Sequence, residues 1–419
     1  MKHDKRDAIV VVSRVGFDTL LKDGSLIEPL RGHQLIFINS LRTSPLPPQG
    51  AYAELHLIEL RQCDDYLTDL IRTLMTRHRV AQVLTISEQD LTPVVFARNT
   101  LGFPGLDTAT ATLFRDKIAM KSALRNSSIG LPAYCEGAND TSVRDLFLQY
   151  KKLVAKPRDG YGSQDTTVLE SSSDVDTFLA TPSQQRSGYL VEAFVKGDVY
   201  HLDAVVRRGE ILFSSLGKYE VPPLDFVGRR WAGTRFSNAN TSLHEEAKRQ
   251  LLVVLQAFHS CDGVFHFEFF HDDHNLTFGE VAIRPVGGGV ADAIYDTFGV
   301  HLMEEHVRIQ LGMPTAIGEP LNAIRYGASL LLLSEAAGVV AGYKGLEGTE
   351  RQTLRRINYH YTKGDLVAPT RYSADSLLTC SLASSDAQHL DFDIQGICET
   401  AGVVLKSTAK EDNSTRGYA

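Results

Sequence analysis

No stretch of this 419-residue chain is apolar for long enough to cross a bilayer, so a helical membrane span is excluded. Cysteine is scarce, with Cys63, Cys135, Cys261, Cys380 and Cys398 widely spaced and odd in number. Without a Cys-x-x-Cys pair they point to free thiols in a reducing compartment, and not to a zinc site or a disulfide framework. The apolar run after MKHDKRD is too short, and too soon followed by polar residues, for a signal peptide, so a cytoplasmic protein is expected. Basic residues do not outnumber acids: 43 Lys and Arg face 51 Asp and Glu, a formal charge of -8. That balance argues against nucleic acid or an anionic membrane as the main partner, although a local basic patch stays open. Familiar nucleotide and metal fingerprints are missing too. No Gly-x-Gly-x-x-Gly follows the first strand, no Walker A loop occurs, and His301, Glu305 and His306 lack the His-Glu-x-x-His spacing. They read as a polar helix face.

What remains is an ordinary globular composition, 43% hydrophobic and 22% charged, in a chain long enough for two or three domains. Short apolar runs at 8–16, 33–40, 53–60 and 81–87 suit buried strands, and between the last two Leu67, Leu70, Ile71, Leu74 and Met75 recur at helical spacing. Strands alternating with helices imply a doubly wound sheet. Further on, Asp107 or Thr108 is placed to cap a helix running through Asp116 and Lys117 to Leu124. Lys117 and Lys121 share a face of that helix, which taken alone reads as solvated. Glycine and proline at 127–132 end it and mark a domain boundary.

The stretch 263–289, GVFHFEFFHDDHNLTFGEVAIRPVGGG, alternates like two strands around a polar turn at 272–275. Phe265, Phe267 and Phe269 share one face; Leu276, Phe278, Glu280, Ala282 and Arg284 share one parity of the next strand. A pairing centred on His274 sets Glu268 opposite Glu280, and like charges so placed repel. A hard divalent cation would remove that cost. By itself the pattern reads more readily as an exposed hairpin with scattered charges. KLVAKPRDGYGS, 152–163, delivers Lys156 from a strand into spaced glycines whose amides can turn toward phosphate, or into a plain flexible turn. YLVEAFVKGDVYHLD, 189–203, breaks a strand at Lys196 to Asp198, where backbone groups can meet a purine edge and Glu192 or Asp198 can accept from amine or ribose hydroxyls. Its other reading is a two-stranded sheet edge. The segment 228–240 reads first as a plain surface loop, and otherwise as one that closes over an anionic substrate with Arg235 as a candidate clamp.

In order, RDKIAMKSAL, LVAKPRDGYGS, YLVEAFVKGDVYHLD and HFEFFHDDHNLTFGEVAIRP resemble the ATP-grasp superfamily over about residues 80–315, nearest its carboxylate–amine ligases that join amino acids. The resemblance implies an α/β and α+β architecture: a Rossmann-like pre-ATP-grasp domain over 1–105, an ATP-grasp domain of two lobes over 106–315, a C-terminal α+β lobe over 316–410 and a flexible tail over 411–419. It implies ATP with Mg2+, Mn2+ being a substitute, as cofactors. Lys117 and Lys156 would hold phosphates, Gly160, Gly162 and Ser163 would cover them, and Glu192, Ala193, Phe194 and Val195 would meet adenine with Asp198 near the ribose. Glu268 and Glu280 would hold the metal, Arg284 would act catalytically beside the acyl phosphate, and Arg235, Arg284, Gly287 and Gly288 would contact substrate.

Two departures stand out: Ala282 replaces a common asparagine, and Val199 replaces a common ribose-binding glutamate. The activity so implied activates a carboxylate as an acyl phosphate and joins it to an amine, with a carboxylic acid and an amine as small-molecule partners. Transfer to a carrier-protein thiol, a bicarbonate-activating carboxylase component and a non-catalytic nucleotide-binding regulator are the rival readings. A homodimer stays open.

Overall fold

The computed structural model describes all residues except 1–6, 61–63, 261, 273–274, 319–324, 347–350, 373–374 and 408–419. Cys63, Cys261, half of the 272–275 turn and the tail expected at 411–419 therefore lie outside the described residues. Four apolar runs build the first sheet: β1 (Ala8–Ser13), β2 (Gln34–Ser40), β3 (Glu54–Ile58) and β4 (Val80–Thr85). They lie all parallel in the order β3-β2-β1-β4. All six residues of β1 are buried, as a strand covered on both faces requires. One cover is α1 (Asp64–Met75), which turns Leu67, Ile71 and Leu74 into the sheet beside Val94 and Ala97 of α2 (Leu91–Leu101).

The single helix expected from Asp107 to Leu124 is two. Asp107 caps α3 (Thr108–Leu113) by accepting from the Thr110 amide, and Asp116 restarts the chain as α4 (Lys117–Leu124) by accepting from the amides of Ile118 and Ala119. An aspartate that satisfies two helix-start amides is a strong cap, so the break sits where that side chain sits.

A small antiparallel sheet follows, with α5 (Asp140–Tyr150) and α6 (Ser172–Ala180) against it. Its strands are β5 (Tyr134–Glu136), β6 (Leu153–Pro157), β7 (Thr167–Leu169) and β8 (Tyr189–Ala193), in the order β5-β8-β6-β7. Its core, Val143, Leu153, Ala155, Leu169, Val175 and Val191, is drawn wholly from its own segment.

The largest sheet has eight antiparallel strands. It begins with β9 (Asp198–Arg207), β10 (Glu210–Tyr219) and β11 (Trp231–Ser237). After α7 (Ser242–Ala257) come the hairpin strands β12 (Gly263–His271) and β13 (Leu276–Ala282), then α8 (Val290–Phe298) and α9 (Leu302–Gln310). The chain continues through β14 (Tyr326–Leu332), β15 (Gly338–Lys344), β16 (Leu354–Tyr359), β17 (Leu366–Val367), β18 (Leu378–Ser384), α10 (Ala387–Thr400) and β19 (Gly402–Lys406). The order β13-β12-β9-β10-β11-β14-β18-β16 carries this sheet unbroken past residue 315, while β17-β15-β19 form a separate three-stranded sheet. Among the described residues no helix is long and apolar enough to cross a membrane.

α9 corrects the polar-face reading. Glu304, Glu305 and His306 are buried, because this helix packs on the N-terminal sheet, with Val307 among Ile9, Leu84 and Ile86. His306 Nε2 donates to Thr85 O at 3.2 Å, and Gln310 donates to the same oxygen at 2.8 Å. Burial pushes the His306 imidazole from 6.5 down to about 4. Folding thus favours the neutral ring, so its contribution is full above pH 6.5 and is lost as pH falls toward 4, by on the order of 3 kcal/mol. Urea unfolding at pH 7 and pH 5 should show about 2 kcal/mol of that loss in the wild type and a smaller one in His306→Gln, whose amide donates without titrating.

Candidate active site

A cavity of about 280 Å3 opens between the small sheet and the hairpin of the large one. Most of the residues singled out from sequence line it: Lys117, Lys156, Gly160, Gly162, Ser163, Glu192 to Val195, Glu268, Glu280, Arg284, Gly287 and Gly288. Gly162 and Ser163 both take positive φ, 56° and 60°, which turns the loop back over the cavity. At the end of β8 the Ala193 and Phe194 amides donate to Ala133 O and Lys152 O, whereas the Val195 amide takes no such partner among the described residues.

The hairpin reaches the expected pairing by an unexpected route. Next to the turn the register is His271 with Leu276 and Phe269 with Phe278; it then shifts, so that Glu268 faces Glu280. Gly279 is the extra residue of this bulge. Strict alternation would have put Phe278 and Glu280 on one face. The bulge instead sends Leu276 and Phe278 into the core with Phe267 and Phe269, and turns Glu280 to the cavity. Glycine is needed here, since a Cβ on residue 279 would lie 2.9 Å from Glu268 O.

Charge is neutralised locally. Glu280 Oε2 pairs with Lys117 Nζ at 3.2 Å, and Lys117 also donates to Gly160 O at 2.7 Å. Burial raises the Glu280 carboxyl, but Lys117 and Lys156 outweigh it and hold the group down at about 2. Glu192 binds two lysines, Lys156 at 2.6 Å and Lys121 at 3.1 Å. Lys121 is fully buried, and burial pulls it down to about 8. Lys156 goes the other way: burial lowers it, yet Glu192 and Glu280 raise it more. Across the hairpin Tyr219 donates to Glu268 Oε1 at 2.6 Å, and His266 Nε2 donates to the same oxygen at 3.2 Å. Desolvation works against the imidazolium, but Asp203 and Glu268 prevail and lift His266 to about 9.

Arg284 reaches Glu88, as does Arg115, so one carboxylate from the segment after β4 joins two guanidiniums. Burial raises Glu88, but Arg284 and Arg115 bring it below the ordinary range. Two expected residues lie elsewhere. Arg235 is not in a loop but in β11, where Thr234 lines the cavity; its own guanidinium pairs with Asp391 at 2.8 Å and Glu220 at 3.2 Å. Asp198 pairs with Lys218 at 2.6 Å and does not line the cavity, although Gly197 and Val199 do. Sequence reading missed Glu88, Tyr219, His266 and the acid behind it, Asp203, and it read the Lys117 and Lys121 face as solvated where both side chains are buried. Only Lys121 gave a signal, its i,i+4 spacing from Lys117. The facing carboxylates suit a hard cation, which takes oxygen ligands.

A family model described as an ATP-grasp domain matches residues 114–288. An L-arginine-specific L-amino acid ligase of Bacillus subtilis is 25% identical over 324 residues, 74% of this chain and 77% of that one. The fold resembles that of an L-amino acid ligase from Bacillus licheniformis, with a TM-score of 0.78 at 16% identity over 96% of this chain and all of that one. It also resembles a phosphoribosylglycinamide synthetase from Anaerococcus prevotii, with a TM-score of 0.68 at 12% identity over 96% of this chain and 100% of that one. The α/β and α+β architecture is thus the ATP-grasp fold, and residues 114–288 match the ATP-grasp domain. Two of these similar proteins are L-amino acid ligases.

Gly279→Ala should cost about 1–3 kcal/mol in urea unfolding, since the added methyl meets backbone that cannot move alone. An unchanged unfolding midpoint would show that the bulge does not need glycine.

Proposed function

We propose that this chain is an ADP-forming carboxylate–amine ligase that activates the carboxylate of one amino acid and joins it to the amine of another. The observation that carries the reading is the single cavity lined by Glu268 facing Glu280, by Lys117, Lys156 and Arg284, and by a glycine loop. In this reading Lys117 and Lys156 hold the phosphates of ATP, Gly160, Gly162 and Ser163 cover them, and Ala193 to Val195 border the adenine. Glu192 serves through its charge, keeping Lys156 and Lys121 in place. Glu268 and Glu280 are the ligands for Mg2+ or Mn2+; the bound ion supplies positive charge to the phosphoryl oxygens.

The chemistry follows from where charge builds. A carboxylate oxygen of the acid attacks the γ-phosphorus, the bond to the β–γ bridging oxygen breaks, and ADP leaves. Lys117 and Lys156 are placed to take up charge on the phosphates during that step, and Arg284 to take up charge on the acyl phosphate. The amine then attacks the acyl carbon, inorganic phosphate departs, the nitrogen loses a proton, and an amide remains. Closure of the glycine loop keeps water from the mixed anhydride. Gly287 and Gly288, which follow Arg284 in the lining, leave room for substrate at that end.

Arg284 already has Glu88 as a partner, so an incoming acid competes with that carboxylate. Phosphate release should therefore depend on the acid. The test is phosphate release from ATP and magnesium across pairs of amino acids, with product mass measured; the expected product is the two acids joined less one water. Release that needs one acid alone, with the product trapped by hydroxylamine, would move the reading to another acceptor such as a carrier thiol. Silence across every acid would sink it. Glu280→Gln should lower ADP formation by about 100-fold or more while leaving the circular-dichroism melt in place.

A further inference from the structure

From Glu268 a line of buried groups runs into the sheet, of which Thr234 and His266 also line the cavity. Lys218 O accepts from Thr234 Oγ at 2.9 Å, and Thr234 Oγ lies 2.7 Å from His201 Nε2. His201 Nδ1 meets Asp203 Oδ2 at 2.7 Å, and the other oxygen of Asp203 meets His266 Nδ1 at 2.8 Å. His266 Nε2 ends the line on Glu268 Oε1. His201 and Asp203 have no exposed surface and His266 is 4% exposed.

The ligating atoms of His201, Asp203 and His266 all fall within 4.8 Å of one another, a grouping that can suit a metal ion. Here each Asp203 oxygen already has its own ring nitrogen at hydrogen-bond distance, so the cluster is satisfied without one. Hydrogen-bond direction fixes its sense. A carboxylate only accepts, so a ring between Asp203 and Glu268 donates from both nitrogens. Thr234 has spent its proton on Lys218 O, so it accepts from His201. The donors therefore converge on two carboxylates, and Glu268 receives two of them, from His266 and Tyr219, on one oxygen.

We infer that His266, oriented by Asp203 and His201, is a positioning residue that saturates Glu268 Oε1 together with Tyr219, so that Oε2 is the oxygen offered to the divalent cation. The inference rests on the reading of Glu268 as a metal ligand. Outer groups that orient a ligand in this way commonly change metal affinity by about 10–100-fold when removed.

The test uses the full chain and Mn2+ alone, with free Mn2+ followed by electron paramagnetic resonance in the presence of ADP. ADP affinity without metal and the thermal melt are measured alongside. His266→Leu should raise the Mn2+ dissociation constant by about 10–100-fold and leave metal-free ADP binding within about twofold. His266→Gln, whose amide still donates to Glu268, should recover most of the loss. A Mn2+ affinity unchanged in His266→Leu while Glu268→Gln abolishes binding overturns the positioning role alone. Wild-type binding in Glu268→Gln overturns the metal reading beneath it. If His266→Leu does not fold, Asp203→Asn decides: it removes the anion that orients the ring, and unchanged Mn2+ affinity there counts equally against the inference.

Discussion

Two carboxylates held face to face in a half-closed cavity repel, and the rest of the site answers that repulsion. Glu268 and Glu280 sit opposite one another across a hairpin whose other face is a phenylalanine core, which holds in place the backbone that carries both. The protein meets the strain differently on each side. Glu280 is given a lysine from α4, whereas Glu268 is given two hydrogen-bond donors from strands of its own sheet. An acid next to a mobile ammonium can exchange that partner for a ligand, while an acid tied to packed rings keeps its orientation. One wall of the cavity is thus adaptable and the other is set.

The same logic explains why lysines cluster at a site built to meet a polyanion. Lys121 never reaches the cavity lining; it occupies one oxygen of Glu192 and leaves Lys156 the other. A buried carboxylate with one cation would bind it tightly, and sharing the carboxylate between two loosens each hold. The cations that face the cavity are therefore available without being unpaired, which a low-dielectric site would penalise.

Much of this was legible in the chain because it is local. Alternation gave the hairpin, a single centre of symmetry gave the Glu268 to Glu280 pairing, and spaced glycines after Lys156 marked the loop. The pairing came out right although the strand parity behind it did not: a bulge at Gly279 restored what simple alternation would have lost, and only the packing of Phe278 demanded it. Arg235 and Asp198 failed for a shared reason. Each is a charged residue in a strand of the large sheet, and the partner that claims it, Asp391 from α10 or Lys218 from β10, is set by tertiary packing and not by neighbours in sequence. Glu88 and Asp203 were invisible for the converse reason, since an isolated acid gains meaning only when a distant guanidinium or imidazole is brought to it.

The way the small sheet is attached has a mechanical consequence. Its apolar core is self-contained, and many of the ties that hold it against α4 are polar: Arg158 on Asp116, Lys121 on Glu192, Lys117 on Gly160 O and Arg115 on Asp159 O. α9, by contrast, is bonded through Gln310 and His306 to the N-terminal sheet and shares its apolar packing. Of the two seams, the ionic one yields first, since separating charges into water exposes little oil while peeling apart a greasy contact exposes much. The molecule is therefore built as a heavy base with a light flap.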